Sequence, residues 1–372
     1  MRLLFAIKRL ENASGGAERV LAHLTSALAQ RGHDVRVLTW DAPNAIPFYS
    51  LDPRVTLINR GIGDSSRPTR PAEFLARIAD LRSAVRAQTP DVVIGFSHPA
   101  FVPLSLALVG SGFPVVASEH IVRAHYVGRF TDYTLLRIAA RLVRCVTVTT
   151  EAVGADYGSD IRRRIVVMPN PIMVAPKVPT QRTGRLLLNV GRLDPQKDQA
   201  TLIRAFARLA PRFLGWQLRI VGEGHLRAEL EALIEETGLA DRVTLPGTTR
   251  DILAAYAEAD AFVLSSAYES FGLVTLEAMA QALPVVGFAD CSGTNELVVD
   301  GETGLLVQDG MDRITALAEG MGRLMGDETL RLQMGKAGHA RVNKLVAADD
   351  AVDRWESLLF KIAGQEARPC VA

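Results

Sequence analysis

A chain of 372 residues, with 48% hydrophobic and 22% charged side chains, has the length for two globular domains, each with its own buried core. A formal net charge of +1 excludes a general nucleic-acid binder. Cys145, Cys291 and Cys370 lie far apart with no ligand spacing, which argues against a disulfide framework or a zinc site and fits a reducing cytoplasm.

The charge is uneven. Residues 1–175 carry 21 Lys+Arg against 14 Asp+Glu, or +7, and the remainder carries −6. A basic first half points to an anionic partner or membrane surface on that side. The opening MRLLFAIKRLE has too short an apolar run for a signal peptide, since Lys8 and Arg9 end it. Val92 to Ser118 holds no formally charged residue, but Pro99, Pro103, Pro114, Gly95, Gly110 and Gly112 break it into strand, helix and strand. It is unlike a continuous spanning helix of ~20 residues. A soluble cytoplasmic protein is expected.

In chain order, LLFAI is a buried strand and ENASGGAE a loop. A helix from about Ala17 then sets Val20, Leu21, Leu24, Ala27 and Leu28 at helical spacing. Gly32 stops it and VRVLTW is the next strand, completing a βαβ unit of a parallel sheet. Gly15 and Gly16 are adjacent, with no third glycine at the dinucleotide offset; they suit a loop whose backbone approaches a ligand closely. Strand-like runs recur at VTLI, DVVIGF, PVVAS and CVTVTT, and the proline-rich IVVMPNPIMVAPKVP (residues 165–179) reads as an interdomain linker.

The pattern restarts after it. Strands RLLLNVG, WQLRIVG, RVTLPG, DAFVLS, PVVGF and TGLLV alternate with helices such as QATLIRAFARLA and HLRAELEALIEETG, the latter capped by Gly238. The expected architecture is α/β: two Rossmann-like, doubly wound domains facing across a cleft, residues 1–175 and 176–345. Residues 346–372 form a tail whose Val352, Trp355, Leu359 and Ile362 make one apolar helix face. Periodicity does not say on which domain that face packs.

Three stretches carry candidate chemistry. In SSAYESFGLVTLEAMAQALP a loop carboxylate, Glu269, precedes a helix containing Glu277; a helix N-terminus receives phosphate and carboxylates accept sugar hydroxyls. In GRLDPQKD, Arg192 and Lys197 stand at a strand end, suited to a diphosphate. Gly222–Glu223–Gly224 is a strand-end turn with phosphate proximity, although Arg227 stands where a dinucleotide motif has its third glycine. Each stretch alone reads equally well as a solvated polar loop.

Taken in order, SGGAERVLAHLTSALAQRGHDVRVLT, GRLDPQKD, VGEG, ESFGLVTLE and SGTNELVVDGETGLLV resemble family 4 glycosyltransferases, retaining enzymes of the B-type glycosyltransferase fold (GT-B). The likeness runs from about residue 12 to about residue 345. Its wording is nearest to bacterial enzymes that extend lipid-linked or surface polysaccharides, N-acetylhexosamine transferases among them. The resemblance implies that Arg192 and Lys197 clasp the donor diphosphate and that Glu277 holds the ribose hydroxyls. Glu269 would bind the donor sugar, with backbone N–H groups of Phe271, Gly272 and Leu273. Gly15 and Gly16 would approach the phosphates, His120 would lie near the reacting centre, and Arg250 and Ile252 would cup the base. It implies no metal and no cofactor, the nucleotide sugar being a substrate, with UDP favoured. Thr294 and Asn295 stand where relatives frequently have Gly–Pro, and the loop before Gly272 also departs from the family wording; both bear on donor-sugar identity.

The acceptor expected is lipid-linked or a glycan, in cell-envelope polysaccharide synthesis. Arg60, Arg67 and Arg70 in one loop, and Arg137, Arg141 and Arg144 beside Phe130, Tyr133, Leu135 and Leu136 on a helix, suit an anionic bilayer or a polyprenyl diphosphate. Peripheral attachment to the inner face of the plasma membrane is the resulting expectation. Two other readings compete: a non-catalytic sugar-nucleotide sensor or scaffold, and an NAD(P)-dependent oxidoreductase, which lacks its glycine fingerprint.

Overall fold

The computed structural model describes residues 1–63, 70–171, 185–308, 312–348 and 351–364. It divides into two units, Met1–Pro171 with Asp350–Ala372, and Ile172–Asp349. Arg67, Pro176, Pro179 and Cys370 lie outside the described residues.

The first unit runs β1 (Arg2–Ala6), α1 (Gly16–Gln30), β2 (Asp34–Thr39), β3 (Thr56–Asn59), α2 (Pro71–Gln88), β4 (Val92–Phe96), α3 (His98–Ala107) and β5 (Val115–Ser118). A 3-10 turn at Arg123–Tyr126, α4 (Phe130–Leu142), β6 (Cys145–Val148), α5 (Glu151–Asp156), α6 (Ser159–Arg162) and β7 (Ile165–Val167) follow. The strands form one sheet in the order β3-β2-β1-β4-β5-β6-β7, parallel throughout. β4, β5 and β6 are buried at every residue, as strands covered on both faces must be, which is why their sequences are apolar without alternation. Ile165–Val167, read from sequence as the start of a linker, is instead the edge strand β7, paired with β6. An edge strand needs one partner only, so the prolines that follow it do not disturb a ladder.

The second unit repeats the plan with β8 (Leu186–Val190), α7 (Gln199–Leu209), β9 (Gln217–Val221), α8 (Arg227–Glu236), β10 (Val243–Gly247), α9 (Ile252–Glu258) and β11 (Ala261–Leu264). It continues with α10 (Leu273–Ala280), β12 (Val285–Phe288), α11 (Thr294–Leu297), β13 (Gly304–Val307), α12 (Arg313–Gly326) and α13 (Glu328–Ala348). The sheet order is β10-β9-β8-β11-β12-β13. Two apolar clusters sandwich it, one built around Leu202, Phe206, Leu218, Ile220, Phe288 and Met321, the other around Leu188, Tyr256, Phe262, Leu276 and Met279. Helix starts follow their caps: Asp198 accepts from the Thr201 N–H at 3.3 Å, and Asp251 from that of Ala254 at 3.0 Å. Past α8, Gly238 takes the left-handed conformation (φ 68°) that lets its N–H and that of Leu239 turn back onto Glu235 and Ile234.

The last helix, α14 (Ala351–Ala363), belongs to the first unit, against α1 and β4. Val352, Trp355 and Leu359 are buried there. Polar contacts fix its register: Arg31 pairs with Asp353 and with Glu356, the latter at 2.9 Å, and His33 Nε2 meets Glu356 Oε1 at 2.6 Å.

Candidate functional site

In each sheet the strand order reverses once, between β1 and β4 and between β8 and β11. Loops at the carboxyl ends of such strands diverge and leave a crevice, where ligands of open α/β sheets gather. In the second unit the loops beside this switch point are residues 191–198 and 265–272, the two stretches singled out from sequence. Asn189 of β8 braces the point by donating its side-chain amide to the Val263 carbonyl of β11 at 2.8 Å.

The two loops are stitched together. Ala267 N–H donates to the Gln196 carbonyl at 2.8 Å, the Gln196 amide to the Tyr268 carbonyl at 3.0 Å, and Ser265 Oγ to the Lys197 carbonyl at 2.7 Å. Across this seam Lys197 Nζ lies 2.5 Å from Glu269 Oε1, with side chains only 13% and 9% exposed. Two charges so far removed from water persist because each compensates the other. Arg192 differs: its side chain is 60% exposed, and its guanidinium rests on Asp194 at 3.2 Å and Gln196 at 3.3 Å.

Glu269 is also held from behind. Its N–H donates to the Ser292 carbonyl and its carbonyl accepts from Ser292 Oγ, both at 3.2 Å. At Gly293 (φ 78°) a Cβ would sit 3.0 Å from the Glu269 carbonyl oxygen, so glycine is needed for both conformation and space. Gly272 (φ 69°) is the N-cap of α10 and gives the left-handed turn into the helix. Phe271 and Leu273 turn their side chains to the apolar core. Glu277 is buried on α10, where Tyr256 Oη donates to its Oε2 at 3.0 Å.

Gly222 and Gly224 serve packing. A Cβ at Gly222 would lie 1.9 Å from the Gly191 carbonyl oxygen, and one at Gly224 2.2 Å from that of Leu193. The Leu193 N–H donates to the Glu223 carbonyl at 3.0 Å. The turn therefore seats the 191–198 loop, and Glu223 is engaged by Arg227. Arg250 is exposed in the loop after β10, an edge strand two positions from β8, and Ile252 packs its side chain on the apolar core.

Gly15, Gly16 and His120 belong to the first unit. Gly15 is the N-cap of α1 with ordinary extended angles (φ −73°) and Gly16 is the first helical residue. His120 follows β5; its Nε2 is 2.9 Å from Ser118 Oγ, which accepts from Thr147 Oγ1 at 3.0 Å. Its ring stacks on Phe96 at 4.7 Å between centroids, and Phe96 stacks in turn on Trp355 of α14 at 6.2 Å. Burial lowers the His120 pKa to about 4, so the imidazole is neutral near pH 7.

Three residues escaped the sequence reading. Glu119 is buried and accepts from the backbone N–H groups of His120 (2.9 Å) and Ile121 (3.1 Å) and from Tyr126 Oη (2.7 Å). Tyr126 Oη lies 3.0 Å from His98 Nδ1. Burial raises the Glu119 pKa to about 7 against these donors. Only their meeting in space reveals them; no local spacing does.

The basic helix is less free than its sequence suggested. On α4, Arg137 and Arg141 share Asp160 at 2.7 and 3.5 Å, and Leu136 is core. The outward apolar residues around α4 are Val127 and Phe130, with Ile138 and Leu142 less exposed. Arg60 is paired with Asp80. Among the described residues no helix is long and apolar enough to cross a membrane.

The model described as Glycosyl transferases group 1 matches residues 175–341, and that of Glycosyltransferase Family 4 matches residues 14–175. A D-inositol 3-phosphate glycosyltransferase of Nocardia farcinica is 34% identical, over 95% of this chain and 87% of that protein. An exopolysaccharide phosphotransferase of Streptomyces coelicolor is 30% identical over 95% of this chain, which spans only 40% of that relative's length. The crystal structure of Anabaena HepE in complex with UDP and glucose superimposes with a TM-score of 0.76, covering 96% of this chain and 99% of that one at 21% identity. The chain belongs to glycosyltransferase family 4 and has the GT-B fold.

Proposed function

We propose that the protein is a retaining glycosyltransferase that moves a hexose or N-acetylhexosamine from a UDP-sugar to a lipid-linked or glycan acceptor in cell-envelope polysaccharide synthesis. The observation that carries this reading is the buried Lys197–Glu269 pair at the carboxyl edge between β8 and β11. A lysine ammonium has three N–H donors and a carboxylate about four acceptor positions. Lys197 therefore reaches a donor phosphate while still holding Glu269, and Glu269 accepts sugar hydroxyls while still holding Lys197. Arg192, exposed and lightly held, swings onto the second phosphate as a planar fork. Glu277, oriented by Tyr256, takes the ribose hydroxyls, and the N–H groups of Phe271, Gly272 and Leu273 serve the sugar side. Arg250 and Ile252 lie by the base in this reading.

In the reaction the bond from the anomeric carbon to the diphosphate oxygen breaks and one to the acceptor oxygen forms on the same face. The acceptor proton passes to the departing phosphate. Negative charge grows on that phosphate, where Lys197, already fixed by Glu269, and Arg192 stabilise it. The reading requires neither a metal nor a resident cofactor, and chelation by EDTA is expected to leave turnover unchanged. The HepE–UDP complex supports the choice of UDP, and the name of the Streptomyces coelicolor relative, an exopolysaccharide phosphotransferase, supports a polysaccharide setting.

The experiment compares K197A and E269Q with wild type for transfer from a panel of UDP-sugars and for thermal stabilisation by UDP. Both variants should fold, retain a cooperative melt and lose about 10²–10³-fold in turnover. Turnover near wild type in either variant removes the assignment.

A further inference from the structure

The Glu119–Tyr126–His98 relay lies at the switch point of the first sheet. His98 opens α3 directly after β4, and its N-cap, Ser97, sits at φ 61°, a backbone conformation that non-glycine residues seldom adopt. Glu119 follows β5, the next strand. Tyr126 ends the 3-10 turn, with its ring against His98 at 5.4 Å and His125 at 5.5 Å.

Hydrogen-bond direction fixes the relay. Both carboxylate oxygens of Glu119 accept, Oε1 from two backbone N–H groups and Oε2 from Tyr126. Once the Tyr126 proton points at Glu119, its oxygen is an acceptor, so the 3.0 Å contact with His98 requires the proton on Nδ1. His98 stays neutral: burial, then repulsion from His125, Arg129 and Lys8, lowers its pKa to about 4. A neutral imidazole protonated on Nδ1 carries a lone pair on Nε2. That nitrogen has no partner among the described residues, and the side chain is half-buried rather than sealed. One strand over, His120 Nε2 lies 2.9 Å from the Ser118 hydroxyl, which accepts from Thr147 Oγ1 at 3.0 Å. The end of β4 thus presents a nitrogen acceptor, which a sugar hydroxyl matches by donating its proton.

We propose that His98 is a further substrate-contacting residue, the hydrogen-bond acceptor for a hydroxyl of the sugar acceptor, and that Glu119, acting through Tyr126, is the positioning residue that sets its tautomer. This rests on the glycosyltransferase reading above, but its first test involves no turnover. Imidazole ¹⁵N spectra of the full chain, recorded above pH about 7, where Glu119 is ionised, should show His98 protonated on Nδ1 alone. Y126F should release it to a mixture of both tautomers. E119Q should reverse it: the Gln carbonyl takes the two backbone N–H groups, its amide donates to Tyr126, and Tyr126 donates to His98 Nδ1, which moves the His98 proton to Nε2. A His98 tautomer unchanged in both variants overturns the relay.

The second arm uses methyl glucopyranoside as probe. In wild type it should shift the His98 Nε2 resonance and act as an acceptor, and E119Q should raise its KM about tenfold, the worth of one hydrogen bond, with UDP affinity unchanged. A His98 resonance unmoved at saturating glycoside overturns the ligand assignment. A relay that behaves as described in a protein without transfer activity would instead count against the glycosyltransferase reading.

Discussion

Glu119 and the Lys197–Glu269 pair show two ways a buried acid is made tolerable. Glu269 has a cation at 2.5 Å, whereas Glu119 has only neutral donors, and burial carries its pKa from 4.5 to about 7. The sign of the consequence follows from proton linkage. A carboxyl with a raised folded-state pKa contributes stability that is fully present below about pH 4.5 and is lost as pH rises through about 7. His98 and His120, lowered from 6.5 to about 4, act oppositely: their contribution is present above about pH 6.5 and is lost as pH falls through 4. The groups facing Glu119 are Tyr126, Tyr157 and the His120 and Ile121 amides. Those facing His98 are His125, Arg129, Lys8 and Tyr126. E119Q deletes the first contribution and leaves the second. Its melting temperature relative to wild type should therefore rise steadily between pH 4.5 and 7, measured by thermal melts across that window. A difference that is flat with pH would show that Glu119 does not titrate in the folded protein.

Among the elements, α14 reaches the first unit's site although it is most distant in sequence. Its Trp355 is buried behind Phe96, and Phe96 lies behind His120, three rings in near-parallel stacking at 6.2 and 4.7 Å. The helix thus completes the wall that desolvates His120. W355A should cost roughly 3–5 kcal/mol as a Trp-to-Ala cavity, read from denaturant melts. It should also raise the His120 pKa toward its ordinary value, read by NMR titration, while W355F restores most of both. A destabilised W355A with an unmoved His120 titration would make Trp355 a packing residue only. The polar contacts of Arg31 and His33 with the helix are partly exposed and add register more than energy.

On the scale of the whole molecule, the basic bias of the first half is the feature most open to test. Val127 and Phe130 are 81% and 83% exposed and flank Arg129, a pattern that suits an anionic bilayer surface, whereas Arg60, Arg137 and Arg141 are engaged by carboxylates. Attachment through this corner predicts sedimentation with anionic liposomes at low salt and release at high salt. F130S with V127S should lose it without changing the melt. Pelleting unaffected by the double substitution would assign attachment to another surface, and no pelleting at any salt would remove it.

How much of this was legible beforehand depended on how local each feature is. The two doubly wound sheets were, because strands buried on both faces are written as unbroken apolar runs and the turns between them carry their own glycines. The second unit's charged loops were too: Arg192 with Lys197, and Glu269 with Glu277, each lie in one short loop-to-helix passage after a single strand. Strand β7 was lost because proline punctuation outweighs a three-residue apolar run. Gly222 and Gly224 pointed toward phosphate in the sequence, while in the fold they accommodate a neighbouring backbone. The Lys197–Glu269 contact, the Glu119–Tyr126–His98 relay and the stacking of Trp355 on Phe96 depended on tertiary structure, since each joins residues from separate elements. Sequence alone thus determined the strands other than β7 and which loops carry charge. Folding decided which of those charges meet, because strand order in a parallel sheet is set by packing between segments far apart in the chain.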